Sequence, residues 1–421
     1  MIRATYIPKY EGTISKIVSH TGYVYDEYVL KHERKKHDEC PERVSETYNF
    51  LEKPLKKCKK IVSRKATPGE IMNAHTIQHY NLIKSTSFKN TDIHKLEQDL
   101  IDVFFNKYTF KAALIAAGSF VELCDQIVNG QIDNGIAIIR PPGHHARSST
   151  TSGYCIFNNV AIAASTMIQN NKLSKIVILD LDIHHGDGTE EIFIKDDNVL
   201  YISIHLYNNG DFFPRTGHPN TVGTGKNVNI ALNKNEHDKI GDKEYIFLFH
   251  NLIEPIIKEY GPELIILSAG FDCIYGDQYG DLDVKPGVFF YIVKCLRKIN
   301  SKVAIAMEGG YNLEAIKQSM NCCLLGLMCD ISKLTKLKTP EKNITSCVLE
   351  TYNLTKSIHK KYWKCLNQMD MNKENQMDMD KENQMEMDKE NQIDIEEETL
   401  TEEENQVNTD DENQMDIGEE I

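Results

Sequence analysis

The segment Leu179-Asp-Leu-Asp-Ile-His-His-Gly-Asp-Gly188 sets Asp180, Asp182, His184, His185 and Asp187 within eight residues, directly after the apolar run from Lys175 to Leu179. Alternate side chains of an extended strand point the same way, so Asp180, Asp182 and His184 are expected on one face at the mouth of a sheet. Polar groups aimed together from the end of a buried strand are costly unless something binds them. A divalent metal would do so. Mixed His and Asp ligation with an open position is the pattern of a catalytic zinc rather than a structural one.

Four further segments place polar groups at strand ends or in Gly-rich loops. Arg140-Pro-Pro-Gly-His-His-Ala146 presents His144 and His145, and Gly153-Tyr-Cys-Ile-Phe-Asn-Asn159 opens a helix. Ser268-Ala-Gly-Phe-Asp272 puts a carboxylate just past a strand, and Glu308-Gly-Gly-Tyr-Asn312 puts a phenol on a glycine turn. Each alone has an ordinary explanation: structural histidines, a helix-capping Asp, a simple turn. Together they supply two carboxylates and an imidazole for a metal, two more imidazoles, two spare carboxylates to orient them, and one phenol. That is an inventory for metal-assisted hydrolysis of an amide.

The elements that must position these groups follow from the hydrophobic pattern. Near-continuous β-branched runs at Gly135–Ile139, Ile176–Leu181, Val199–His205, Leu264–Ser268 and Val303–Met307 read as strands buried on both faces. Helical periodicity covers Thr109–Val128, Asn158–Ile168, Asp242–Tyr260, Pro286–Ile299 and Asn312–Met328. Alternating strands and helices predict an α/β fold: one large domain with a central parallel β-sheet flanked by helices on both faces. In such sheets ligands collect beyond the carboxyl ends of the strands. The expected organisation is a catalytic domain over 1–333, a Lys-rich spacer over 334–366 with one helix around Tyr352 to Trp363, and an acidic low-complexity tail over 367–421.

The net charge of −14 is misleading as a whole. Residues 367–421 hold 3 Lys against 21 Asp and Glu, a net of −18, which leaves +4 on residues 1–366. Asn-Gln recurs there at 367, 375, 383 and 391. Such a segment buries too little surface to order itself and reads as a disordered, solubilising tail, with docking to a basic partner as the alternative. Eleven cysteines without a CxxC motif, mostly in apolar contexts, read as reduced thiols of an intracellular protein. No signal-peptide core and no membrane-spanning apolar run are expected. Lys53-Pro-Leu-Lys-Lys-Cys-Lys-Lys60 reads as a solvated helix end, with nuclear import as the alternative. His32, His75, His79 and His94, among polar neighbours, are expected at the surface, and Trp363 is expected to anchor a terminal helix.

The set RPPGHHA, GYCIFNNVAIAA, ILDLDIHHGDGT, SAGFD and EGGYN, in this order from about Thr21 to about Leu327, resembles the zinc-dependent histone deacetylases of the arginase/deacetylase fold. Gly270-Phe-Asp272 and Glu308-Gly-Gly-Tyr311 resemble the class II branch. The resemblance implies that Asp182, His184 and Asp272 ligate zinc, and that His145 is the general base with His144 as its electrostatic partner. It implies that Asp187 orients His145 and Asp180 orients His144, while Tyr311 donates to the oxyanion. By the same resemblance Tyr154 and Phe213 wall a tunnel for the acetyl-lysine chain, Gly153 offers its carbonyl to the substrate amide, and Asp102 is a rim carboxylate. Asp180, Asp182, His184 and Ser203 match a structural potassium site, and Arg43 matches an arginine lining an internal channel.

Departures from the family pattern bear on substrate. Asp38 stands where Pro is usual, Tyr154 where Phe is commoner, and Asp277-Gln-Tyr279 where Asp-Pro-Leu is usual. Tyr279 is expected at the tunnel mouth, where polyamine-specific relatives carry an acidic residue. The leading expectation is therefore hydrolysis of acetyl-lysine in histone tails or other acetylated proteins, with co-repressor partners, in the nucleus, the cytoplasm or both. Sequence-specific nucleic-acid binding and membrane association are not expected. An acetylpolyamine-type amidohydrolase of the same fold and an inactive scaffold for acetylated partners are the alternatives. A binuclear arginase-like centre is disfavoured because the Ala269–Asp272 segment supplies too few ligands.

Overall fold

In the computed structural model, eight parallel strands form one sheet in the order β2-β1-β3-β8-β7-β4-β5-β6. They are β1 (Thr21–Val24), β2 (Lys59–Lys60), β3 (Asn134–Ala137), β4 (Ile176–Asp180), β5 (Val199–Leu206), β6 (Asn227–Leu232), β7 (Leu264–Ala269) and β8 (Val303–Met307). The structure describes residues 20–368 apart from 99, 171, 333, 335 and 338–340, so all but the first two residues of the acidic tail read from the sequence lie outside the described residues. The described residues up to Trp363 form one compact unit; a second begins at Lys364 with a helical turn over 364–368.

The predicted parallel α/β sheet is present, and its strand interiors show why both faces need cover. Ile176, Ile178, Leu264, Ile266, Ala304 and Ala306 join one core with the Thr109–Val128 and Asn159–Gln169 helices. The alternate residues Val177, Leu179, Ile265, Leu267, Val303 and Ile305 are fully buried too, and strand alternation turns them the other way. On that side the Gly287–Ile299 helix packs on Leu313–Met328, which also packs on Glu42–Leu55. No helix among the described residues is long and apolar enough to cross a membrane. All eleven cysteines are free thiols, seven of them buried.

Several local expectations change. The strands β1, β2 and β6 were not predicted. β2 is only two residues long, and β6 (Asn-Val-Asn-Ile-Ala-Leu) carries asparagines that strands usually avoid. The single helix expected over Asp242–Tyr260 contains a wider π turn at Phe249–Ile253 between Asp242–Leu248 and Glu254–Tyr260. Pro255 has no N–H to continue a regular ladder there.

Three histidines expected at the surface are buried. His32 bonds Thr109 Oγ1 at 2.9 Å and stacks on Phe104, His75 bonds the Arg147 carbonyl at 2.9 Å, and His79 bonds the Ile156 carbonyl at 2.9 Å. Their polar sequence neighbours are no guide, because each imidazole serves a loop carbonyl or hydroxyl that burial deprives of water. His94 is exposed as expected.

The Lys-rich segment after the main domain carries a helix, Ser346–His359, packed on β6; Thr351 Oγ1 donates to the Ala231 carbonyl at 3.2 Å. Trp363 is buried and donates through Nε1 to the Gly225 carbonyl at 3.2 Å. Lys53, Lys56 and Lys57 are exposed at the end of the Glu42–Leu55 helix.

Candidate active site

The four central strands β3, β8, β7 and β4 end side by side, and the site is built on the loops that leave them. β4 stops at Asp180, so side chains beyond it no longer alternate as in a strand. Asp180 does not share a face with Asp182 and His184 as strand alternation predicts; it accepts hydrogen bonds from His144 Nδ1, the partner the resemblance gives it, and from Tyr201 Oη, each at 3.1 Å. Asp182 and His184 turn toward Asp272 in the loop after β7. His184 Nδ1 lies 3.1 Å from Asp182 Oδ1 and 3.2 Å from Asp272 Oδ2.

These three residues offer ligand atoms all within 4.8 Å of one another. Asp182 and Asp272 are fully buried, and His184 is partly so. Burial, then the charge of Asp182, pushes the Asp272 carboxyl up to about 7. His184 is pushed up to about 9, because its bonds to Asp182 and Asp272 outweigh burial. Both shifts arise from two carboxylates crowded into a buried pocket, a charge that a divalent cation would offset. The backbone is shaped to the same end: a Cβ on Gly309 would stand 2.3 Å from Oδ2 of both Asp182 and Asp272. Gly309 N donates to Asp182 at 2.9 Å, and Ile183 N donates to Asp272 at 2.8 Å. The donor set fits a single zinc-like ion with a coordination position left over.

The tandem histidines stand beside this pocket with their rings 4.0 Å apart. Nδ1 of His145 is bonded to Asp187 Oδ1 at 2.7 Å, and Arg147 Nε holds the other oxygen at 2.8 Å. Their protonation preferences diverge. His144 is raised well above its ordinary value, since Asp182 and Asp180 overcome burial. His145 is lowered to about 4 by burial and by the neighbouring charge of His144. Gly153, at φ +53°, passes so close that a Cβ would sit 2.5 Å from the His145 ring. Only glycine tolerates both the conformation and the contact.

Tyr311 follows the Gly309-Gly310 turn after β8, half-buried, and burial raises its hydroxyl well above the ordinary phenol value, so it remains a donor. Its ring lies edge-on to Tyr154 at 5.6 Å and to Tyr279 at 4.8 Å. Phe213 lies 5.2 Å from the His145 ring and 6.0 Å from that of His184. Asp102 is exposed at φ +48°, its carbonyl accepting from Tyr154 N at 2.7 Å. Ser203 is the register partner of Asp180 on the neighbouring strand β5.

Other participants were not read from the sequence. Glu308 is fully buried and accepts from Gly143 N at 2.7 Å, His144 N at 3.2 Å and Ser268 Oγ at 3.0 Å, so its carboxylate holds the histidine loop against β7. A carboxylate at a strand end before Gly-Gly was the available signal. Phe212 stacks on His184 with ring centroids 5.2 Å apart, and nothing in its local sequence marks it.

Fold and site together define a parallel α/β protein with a buried carboxylate–imidazole cluster that could hold a metal ion, flanked by two histidines and a phenol. A family model described as "Histone deacetylase domain" matches residues 37–327, and the chain belongs to that family. Its Gly270–Asp272 and Glu308–Tyr311 segments are class II-like. Histone deacetylase 18 of Arabidopsis thaliana is 38% identical over 73% of this chain and 47% of its own length. Histone deacetylase 9 of Homo sapiens is 35% identical over 74% of this chain and 34% of its own. The chain thus spans half or less of the curated relatives it matches. The crystal structure of the HDA15 HD domain superposes with a TM-score of 0.74 at 33% identity, covering 83% of this chain and 98% of that one.

Proposed function

We propose that this chain hydrolyses the acetyl amide of N6-acetyl-lysine in histone tails or other acetylated proteins, releasing acetate and free lysine. One observation carries the reading: the Asp182–His184–Asp272 triad lies beside a His145–Asp187 pair and Tyr311. Zinc, held by those three ligands, would supply Lewis acidity toward the acyl carbonyl and lower the pKa of water to about 7. With Nδ1 held by Asp187, His145 takes the proton of the attacking water at Nε2 and returns it to the leaving lysine amine. Tyr311 donates to the carbonyl oxygen as charge develops there. Tyr154 and Phe213 flank the lysine chain, the Gly153 carbonyl accepts from the substrate amide N–H, and Asp102 accepts from the peptide backbone.

A structural potassium belongs to the same reading, held mainly by backbone oxygens around Asp180, Asp182, His184 and Ser203; the register pairing of Asp180 with Ser203 supports it. So do co-repressor partners and action in the nucleus, the cytoplasm or both. The test is acetate release from a panel of acetylated peptides and from N-acetylated spermidine, before and after chelation and metal add-back. Peptide turnover lost on chelation and restored by zinc is expected. A strong preference for the polyamine would move the substrate to small amines. No turnover of either would leave a scaffold.

A further inference from the structure

Asp38, Tyr154 and Tyr279, three departures from the family pattern far apart in sequence, are joined in one hydrogen-bonded line. Tyr279 Oη donates to Asp38 Oδ2 at 2.5 Å and stands 3.2 Å from Tyr154 Oη. The Pro, Phe and Leu usual at these positions have no group able to make either bond. The line ties the segment before the Glu42–Leu55 helix to the loop after β7 and to the loop at Gly153.

Each end is anchored. His37 packs edge-on against Tyr154 at 4.8 Å, and Glu39 is fully buried, bonded to Arg140 at 2.5 and 2.8 Å and to Arg43 at 3.2 Å. Asp38 sits between these two fixed neighbours, so its carboxylate is held in place although exposed. At the other end Tyr279 N donates to Asp277 Oδ1 at 3.1 Å. The second oxygen of Asp277 accepts from Tyr311 N at 2.6 Å and from Asn312 N at 2.9 Å.

We propose that Asp38, Tyr279 and Tyr154 form a clasp that closes one side of the tunnel mouth and sets its bore for the thin, unbranched lysine chain. The inference deepens the reading above and rests on it for the substrate. A phenol bonded to a carboxylate is a charge-assisted link. Ordering both rings before substrate arrives removes part of the entropy that binding would otherwise cost. The clasp acts on binding more than on turnover, because Asp277 holds the Tyr311 backbone and Arg43 lies under its ring at 5.0 Å.

The test uses Asp38→Ala, Asp38→Asn and Tyr279→Phe in the full chain. The KM for an acetyl-lysine peptide is expected to rise about tenfold in Asp38→Ala and Tyr279→Phe, as for loss of one charge-assisted bond, with kcat falling less. Asp38→Asn, which keeps an acceptor but loses the charge, is expected to fall between the parent and Asp38→Ala. A peptide carrying 4-acetamidophenylalanine, whose ring is thicker than an alkyl chain, should gain in kcat/KM relative to acetyl-lysine when the clasp is broken. The dissociation constant of a labelled acetyl-lysine peptide, read by fluorescence anisotropy, separates the two claims. Weaker binding in the two variants without turnover in any protein would sink the proposed reaction and keep the clasp. Equal affinities throughout, or Asp38→Asn as impaired as Asp38→Ala, would overturn the clasp.

Discussion

Arg43 lies 5.0 Å from the Tyr311 ring and donates to the carbonyls of Glu308 and Gly310, the residues on either side of Gly309. One fully buried guanidinium thus braces the turn that carries the phenol and brings Gly309 against the two ligand carboxylates. Arg43→Ala is expected to lower kcat sharply and to cost about 3 kcal/mol or more in urea unfolding, since it strips a buried carboxylate and two carbonyls of a partner. Arg43→Lys keeps the charge but loses the fork, and should remain well below the parent in activity. Parent-like kcat in both variants would sever the link between Arg43 and Tyr311.

The roles given to Tyr311 and His145 predict losses in rate without losses in fold. Tyr311→Phe should lower kcat by about 10²–10³-fold, the range for removing one oxyanion donor. His145→Ala should cost about 10²–10⁴-fold, the usual contribution of positioned proton transfer. Both should melt close to the parent, because neither removes Asp182, His184 or Asp272. Steady-state rates beside calorimetric melting curves decide the matter, and near-normal turnover in either variant contradicts its role.

Metal removal should also be visible in stability. Without a cation, Asp182 and Asp272 face each other in a buried pocket, and Asp272 rises to about 7. An ion bound at a hundred times its dissociation constant would add about 2.7 kcal/mol. Chelation should therefore lower the melting temperature, and zinc should restore it in the parent but not in Asp272→Asn. Calorimetric titration of zinc into that variant should show no tight site. An unchanged melting temperature on chelation would place the ion elsewhere.

Glu39 predicts an acid limb of stability. Although burial opposes it, Arg140 first and then Arg43 hold its carboxyl down to about 2, against an ordinary 4.5. A depressed carboxylate stabilises the fold above its unfolded value, and that contribution disappears as pH falls from 4.5 toward 2. Glu39→Gln should thus be less stable than the parent at neutral pH by roughly 3 kcal/mol, with the gap closing over that window. Urea unfolding at a series of pH values measures it. A constant gap down to pH 2 would show that Glu39 is not the titrating group.

The strands at the site were legible because β4, β5, β7 and β8 are dense apolar runs with a polar residue at or next to their carboxyl ends, a local pattern. β6 was hidden by its asparagines, both of which turn out to be bonded to Glu190, at 2.7 Å each. The pairing of Asp182 with His184 was also legible, since two residues of spacing bring them together whether the chain is a strand or a loop.

The sequence by itself determined the donor types, their spacing along β4 and its loop, and the parallel α/β class. All of these follow from short-range periodicity and the chemistry of single side chains. Only the tertiary structure decided that Glu308 holds the histidine loop from 165 residues away and that Asp38 meets Tyr279 across 241. The reason is strand order. β3 pairs with β8 and β4 with β7, strands far apart in the chain, so the groups at their ends meet only when the sheet forms.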